Sequence, residues 1–378
     1  MNNTSHLTSE RYIWLDNAKM FAMLCVIFGH SSSLVVDGMP GRLLGLIVSF
    51  NMPLFVLLSG FTAERAFQRI LSFSDLVDYV GKIYHRLLLP AVFLSAINQI
   101  FVTSLFARRL WLVYAAVAFL EWFLERGKNL LPDGVSLCLR LLLLAFLVVA
   151  SQWLNMFWFL NMLMKLQLSV AIGSFFISYI TTDTKRFLYV AAFCWLLPFF
   201  VFDSWTFEMS FYFFVGLFLK RYWNSKKVLD IPVYWPILAV VAGVALLRYA
   251  TVDYGFYDYG LARLIEMGLS LVYVCRLLVA LLLIFAILFL ILKYSQRETW
   301  FSRMGQFSMA FYIVHALILE TWLKPYVEAN QLFIFEPPFS TMLWLLVSIF
   351  LTLISYGIIL ICVRYRITRA LVIGKQSQ

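Results

Sequence analysis

The stretch Asp16-Asn-Ala-Lys19-Met-Phe-Ala-Met-Leu-Cys-Val-Ile-Phe-Gly-His30-Ser-Ser-Ser33 decides how the chain is read. It is apolar enough for a first membrane helix, yet it carries an acid, a lysine and a histidine where lipid wants none. An α-helix turns about 100° per residue, so the steps from Lys19 to His30 end only about 20° past three full circles. The two side chains therefore share one face, about 16 Å apart along the axis. Asp16, three residues before Lys19, is close enough on that stripe to pair with it. An ionisable group in a membrane helix costs about 2.5 to 3.5 kcal/mol on the insertion scale, so it normally faces a polar cavity and marks a functional path. The bland alternative is a snorkelling lysine and a histidine bonded to a neighbouring helix.

The composition sets the surroundings of that helix. Of 378 residues, 63% are hydrophobic and only 13% charged, against about 25% charged in ordinary soluble domains. With a mean hydropathy of +0.86, the chain reads as a polytopic membrane protein. Apolar runs near twenty residues fit an all-α transmembrane bundle, whereas a barrel would alternate over about ten. The net charge of +10 does not point to nucleic acid, because its distribution is the pattern that orients membrane helices. Five cysteines, at 25, 138, 194, 275 and 362, sit in apolar runs without ligand-like spacing, so neither a disulfide framework nor a metal site is expected.

Helices are expected near 16–36, 42–62, 86–106, 157–180, 187–202, 208–221, 233–250, 264–292, 305–323 and 341–363, ten spans in all. Two further apolar runs, 110–124 and 137–153, are either two more spans, making twelve, or a re-entrant or surface-lying pair. With a cytoplasmic N-terminus, the inside segments hold 18 Lys and Arg and the outside loops hold 3. Short-loop Lys and Arg stay in the cytoplasm, which fixes that orientation. The first run lacks a small-residue cleavage site and is read as a retained anchor. One membrane domain, 11–366, is expected between a loose tail at 1–10 and a cytoplasmic tail at 367–378.

Several later stretches carry chemistry-bearing residues. The second helix ends Phe55-Val-Leu-Leu-Ser59-Gly60-Phe61, where small residues let another helix or a ligand approach the backbone. Lys82-Ile-Tyr-His85-Arg86-Leu-Leu-Leu-Pro90 sets cations at the inner mouth of the third helix. Arginine's planar fork suits phosphate, while the plainer reading is an anchor on anionic lipid heads. Trp158-Phe159-Leu160 opens the fourth helix at its outer end, as an interfacial aromatic belt also would. Lys165 and Arg276 each need a buried partner, with Glu266 and Glu320 as candidate acids. In Ser308-Met-Ala-Phe-Tyr312-Ile-Val-His315, the second intramembrane histidine either orients an acceptor or bonds across helices. The loop 249–259 joins aromatics to Asp253 and Asp258, as sugar sites and interfacial belts both do.

Taken together, these motifs resemble the acyltransferase-3 family of membrane O-acyltransferases, in particular its branch related to fucose 4-O-acetylases. The family's first helix bears Arg and, eleven positions later, His; Lys19 and His30 stand at that spacing, with Lys in place of the commoner Arg as in that branch. Phe55 to Phe61 matches its Phe-x-x-x-Ser-Gly-Phe-like element. Lys82 to Pro90 matches its basic motif, with Lys82, His85 and Arg86 where Arg-x-x-Arg is usual. Trp158 to Leu160 and Ser308 to His315 follow in the family's order.

The resemblance implies transfer of an acyl group, most often acetyl, from cytoplasmic acetyl-CoA or another short acyl-CoA to a hydroxyl of a cell-surface or lipid-linked carbohydrate. On this reading His30 is the general base or a transient acyl carrier, and Lys19 and Asp16 give electrostatic support. Arg86, with Lys82 or His85 and with Ser59 nearby, holds the donor's phosphates. Trp158, Tyr312 and His315 face the acceptor. No metal is required, and the expected partners are membrane lipids, the glycan and its assembly proteins, in the inner membrane if the source is bacterial. The competing class is a transporter or flippase for a lipid-linked glycan, in which the polar stripe lines a path and no bond is made.

Overall fold

Tyr12 enters the first helix in extended backbone, and α1 then runs unbroken over Ile13–Ser31, so the spacing of Lys19 and His30 on one face is kept. Its last carbonyls lack intrahelical partners, and the serines that follow supply them. Ser31 Oγ donates to the Phe28 carbonyl at 3.2 Å and Ser32 Oγ to that of Gly29 at 2.6 Å. The computed structural model describes residues 11–34, 41–83, 86–87, 90, 158–180, 189–190, 192, 204–222, 228, 230–250, 270–330, 339–365, 369 and 372. Within these the protein is helical, with no strand. The expected runs at 110–124 and 137–153, most of those at 86–106 and 187–202, and the loop residues 251–259 lie outside the described residues.

After α1 come α2 (Gly41–Arg69), α3 (Phe73–Ile83), α4 (Trp158–Ile180), α5 (Ser204–Tyr222), α6 (Tyr234–Ala250) and α7 (Ser270–Tyr294). Then follow α8 (Trp300–Gly305), α9 (Ser308–Ile318), a π turn at Leu319–Leu323, α10 (Lys324–Ala329) and α11 (Phe339–Arg364). Among the described residues four segments are long and apolar enough to cross a membrane: Leu43–Glu64, Phe159–Ser178, Leu271–Tyr294 and Thr341–Arg364. Lipid-facing surface is concentrated on α11, where only 28% of the apolar window is buried, against 72% in α4. Helix α1 has the opposite character. Asp16, Asn17, Ala18, Met20, Met23, Val26 and Ile27 are all buried, and α2, α7, α8, α9 and α11 pack around it. A helix buried on every side is enclosed by protein, which is how this one tolerates its charged residues.

Two boundaries differ from the sequence reading. The second helix does not stop near residue 62 but continues to Arg69. At 29 residues and about 1.5 Å per residue it outruns a hydrocarbon core of about 30 Å. The helix expected over 305–323 is divided: α8 begins on a Thr299/Ser302 capping box and ends at Gly305, and α9 starts at Ser308. At the end of α8 a methyl group on Gly305 would overlap the Asp16 carbonyl, so α8 and α1 meet backbone to backbone there. Helix α2 crosses α5 in the same manner, Gly60 against the Phe213 carbonyl and Gly216 against the Leu57 carbonyl. Small residues at both positions let the two backbones touch.

Short α3 lies on α4 through Phe73 and Phe175, with ring centroids 5.8 Å apart. Its start is closed by the Asp75 carboxylate, which accepts from the Leu71 and Ser72 amides at 3.2 and 2.9 Å. Those hydrogen bonds, with that from the Ser72 hydroxyl, hold the Asp75 carboxyl below its ordinary pKa. Leu76, Val80 and Ile83 are buried at the spacing of one helical face, which leaves Lys82 exposed.

Candidate functional site

The Asp16 end of α1 is docked by charge and hydrogen bonds. Arg11 Nε donates to Asp16 Oδ2 and Arg11 Nη1 to Glu298 Oε1, each at 2.9 Å. Asn17 Nδ2 donates to the Ser295 carbonyl at 3.1 Å, and Lys220 Nζ donates to the Tyr12 hydroxyl at 2.9 Å while lying over the Phe61 ring. The close ion pair of the Asp16 carboxylate is with Arg11, and its association with Lys19 is one of electrostatic reach. Neighbouring Arg11 pulls the Glu298 carboxyl below its usual range, through a hydrogen bond first and charge second.

Lys19 is half-buried and within electrostatic reach of Arg86 as well as of Asp16. The structure thus sets two cations 67 positions apart in the chain within electrostatic reach of each other. Like charges held close are costly unless an anion accompanies them, and phosphate oxygens are suitable company for both side chains. Arg86 and Lys82 are exposed, and His85 lies outside the described residues.

At the other end of α1, residues from five helices converge on His30. Trp344 of α11 donates from Nε1 to the Phe28 carbonyl at 2.8 Å, and the Ser348 and Ser31 hydroxyls meet at 2.6 Å. Asn51 of α2 lies beside Gly29. His315 of α9, with none of its surface exposed, brings Nε2 to 3.3 Å from His30 Nδ1. Its own Nδ1 is 2.7 Å from the Phe311 carbonyl oxygen. Tyr312 stands edge-on to His315 with ring centroids 5.8 Å apart, and Phe159 of α4 packs on Tyr312 at 5.2 Å and on Phe55 at 5.5 Å. Trp158 opens α4, and its side chain is outside the described residues. Scattered stretches of sequence, Phe55, Phe159, Tyr312, His315 and His30, are therefore one continuous aromatic and imidazole cluster.

Ser59 is turned elsewhere. Its hydroxyl donates to the Phe55 carbonyl one turn back at 2.9 Å, and its neighbour Gly60 is the crossing point with α5. Gly60 thus serves helix packing. Glu320, in the π turn one turn beyond His315, pairs with Lys324 at 3.6 Å and is in electrostatic reach of His30. A π turn widens a helix locally and is frequent at functional sites. The buried Arg276 finds its acid in Glu208, at 2.5 Å, not in Glu320; Glu266 lies outside the described residues.

Between its polar ends the Lys19/His30 face of α1 is closed by Met23 and Val26, which fall on the same face and are fully buried. The two ends are thus separated by apolar packing. Among the described residues no three His, Cys, Asp or Glu side chains gather as metal ligands would, and Cys25, Cys275 and Cys362 are free thiols. Sequence reading missed Trp344 and Ser348, which hold the His30 end in place. The signal available was an indole donor and a Ser348/Thr352 pair one turn apart inside an otherwise lipid-facing helix. A family model described as an acyltransferase domain matches residues 12–363. No curated protein and no solved structure matches the chain.

Proposed function

The chain belongs to the acyltransferase-3 family of membrane acyltransferases, and we propose that it moves an acetyl group from cytoplasmic acetyl-CoA to a hydroxyl of a cell-surface or lipid-linked carbohydrate. The observation that carries this reading is the division of α1 into two polar ends. Lys19 stands near Arg86 at one, and His30 contacts His315 at the other. The Lys and Arg distribution supports a cytoplasmic Lys19 end. Lys19 and Arg86, with Lys82, would hold the donor's phosphates. The cationic pair fits such a group because the Asp16 carboxylate is engaged by Arg11 and does not close on Lys19.

His30 would take the proton from the acceptor hydroxyl as its oxygen attacks the thioester carbonyl carbon. The carbon–sulfur bond breaks, and the departing thiolate receives that proton in turn. Tyr312, His315 and Trp158 would flank the acceptor. Lys19 in place of the family's commoner arginine supports the branch related to fucose 4-O-acetylases, and with it a sugar acceptor.

The rival reading, a flippase for a lipid-linked glycan, needs a polar route for the glycan. Met23 and Val26, buried on that face, make it apolar between its two ends, which disfavours a hydrated sugar path along it. Purified protein supplied with acetyl-CoA and a candidate glycan should release free CoA and add one acetyl ester, lost in mild alkali. A protein that moves the glycan across a bilayer without releasing thiol would overturn the proposal.

A further inference from the structure

The hydrogen-bond chain through the second histidine has a direction. A carbonyl oxygen only accepts, so the 2.7 Å contact of His315 Nδ1 with the Phe311 carbonyl puts the proton of His315 on Nδ1. In a neutral imidazole the other nitrogen then carries the lone pair. The atom opposite His315 Nε2, at 3.3 Å, is His30 Nδ1, which must be the donor of that contact. The same rule applied once more leaves the lone pair of His30 on Nε2. Helical geometry fixes the start of the chain, because Phe311 and His315 are four apart on α9. The Phe311 carbonyl is thus on the turn directly below the ring. The absence of exposed surface on His315 means that water does not compete for its nitrogens.

The geometry points to His315 as a positioning residue that fixes the tautomer of His30, so that the basic nitrogen of the catalytic imidazole is Nε2. This rests on the acyl-transfer reading only for its kinetic consequence; the tautomer itself is a property of the resting protein. When His30 Nε2 takes the acceptor's proton, the new imidazolium keeps its Nδ1–H on the His315 lone pair. The ring of Tyr312 stands beside His315 with centroids 5.8 Å apart, and the charged group within electrostatic reach of His30 is Glu320, not a partner of His315. A neutral acceptor thus fills the orienting place that a carboxylate holds in a Ser-His-Asp triad.

The test has a spectroscopic arm and a kinetic arm. Protein labelled with ¹⁵N-histidine has four histidines to assign, and His30→Gln identifies the signals of His30. The wild type should show His30 Nδ1 as protonated, pyrrole-type nitrogen and Nε2 as pyridine-type, while His315→Ala should mix the two. His315→Gln, whose side-chain oxygen can accept near the same place, should restore the wild-type pattern. A wild-type His30 protonated on Nε2 overturns the proposal whether or not any variant folds.

For kinetics, CoA release is followed with acetyl-CoA as donor and a methyl fucoside as acceptor probe. His315→Ala should lower kcat by at least about tenfold, with the KM for acetyl-CoA unchanged, because general-base catalysis is typically worth about 10² to 10⁴. His315→Gln should regain most of the loss, and His30→Ala/His315→Ala should be no slower than His30→Ala. A normal kcat in His315→Ala, or a loss confined to KM, overturns the positioning role. Unchanged CoA release in His30→Ala would instead defeat the acyl-transfer role of His30, and the wild-type spectrum would still report the hydrogen-bond chain.

Discussion

Arg276 of α7 and Glu208 of α5 meet at 2.5 Å with side chains only 4% and 3% exposed, and the second carboxylate oxygen of Glu208 has no hydrogen-bond partner among the described residues. Such a pair is worth little in net stability yet is costly to break, because the survivor keeps the cost of its burial and loses the charge that offset it. Glu208→Gln and Arg276→Met should each destabilise the protein by about 3 to 5 kcal/mol. The double change to leucine should recover most of that loss. Unfolding midpoints in one detergent decide the matter, and single variants as stable as the wild type would refute it.

His30→Ala should reduce CoA release from acetyl-CoA by at least about a hundredfold, the usual scale for a positioned base, while leaving the protein folded. His30 is half-buried, and α1 is held beside it through Trp344 on the Phe28 carbonyl and Ser348 on the Ser31 hydroxyl, contacts that the substitution leaves in place. Activity near that of the wild type at matched membrane expression would remove His30 from the chemistry.

Lys19 should act through charge. Lys19→Arg keeps the cation near Arg86 and should be tolerated better than Lys19→Met, with the difference falling on the KM for acetyl-CoA. Equal KM values for the two variants would take charge out of the account.

The Arg11–Glu298 contact should give the Asp16 end of α1 a pH dependence. Arg11 depresses the Glu298 carboxyl from its ordinary value of 4.5, so the folded state binds that proton less readily than the unfolded chain. The stabilisation is therefore present above about pH 4.5 and is lost as pH falls through the lower folded value. Glu298 is exposed, which makes the effect small and salt-sensitive. Melting curves from pH 7 down to 3.5 should converge for wild type and Glu298→Gln; a gap that widens on acidification contradicts the sign.

Gly60→Ala and Gly216→Ala should each loosen the α2–α5 crossing, since either methyl lands on a carbonyl of the facing helix. Overpacking of this kind costs about 1 to 3 kcal/mol. The pair should be less than additive, because the first methyl already parts the helices. Full additivity would mean that the two sites do not share one contact.

How far the molecule was legible in its sequence depended on the range of the interaction. Lys19 and His30 on one face followed from helical spacing alone, and α1 keeps it. The close approach of α8 to α1 was not legible, because Gly305 looks like any glycine until Asp16's backbone is pressed against it. Arg276 could be flagged as a buried cation, but nothing local in the sequence marks Glu208, 68 positions away, as its partner. Spacing puts Asp16 within reach of Lys19, but it does not show that the close ion pair of Asp16 is with Arg11.

The sequence by itself determined that this is a helical membrane protein, that α1 carries Lys19 and His30 in register, and which family motifs accompany them. Periodicity and hydropathy are local properties, repeated residue after residue, and survive without knowledge of the neighbours. Tertiary structure alone decided that α1 is enclosed by its neighbours, that Arg86 is within electrostatic reach of Lys19 and that His315 meets His30. A contact across 285 residues depends on how several helices pack at once. Hydrogen-bond direction depends further on which atom faces which, and no spacing along the chain encodes that.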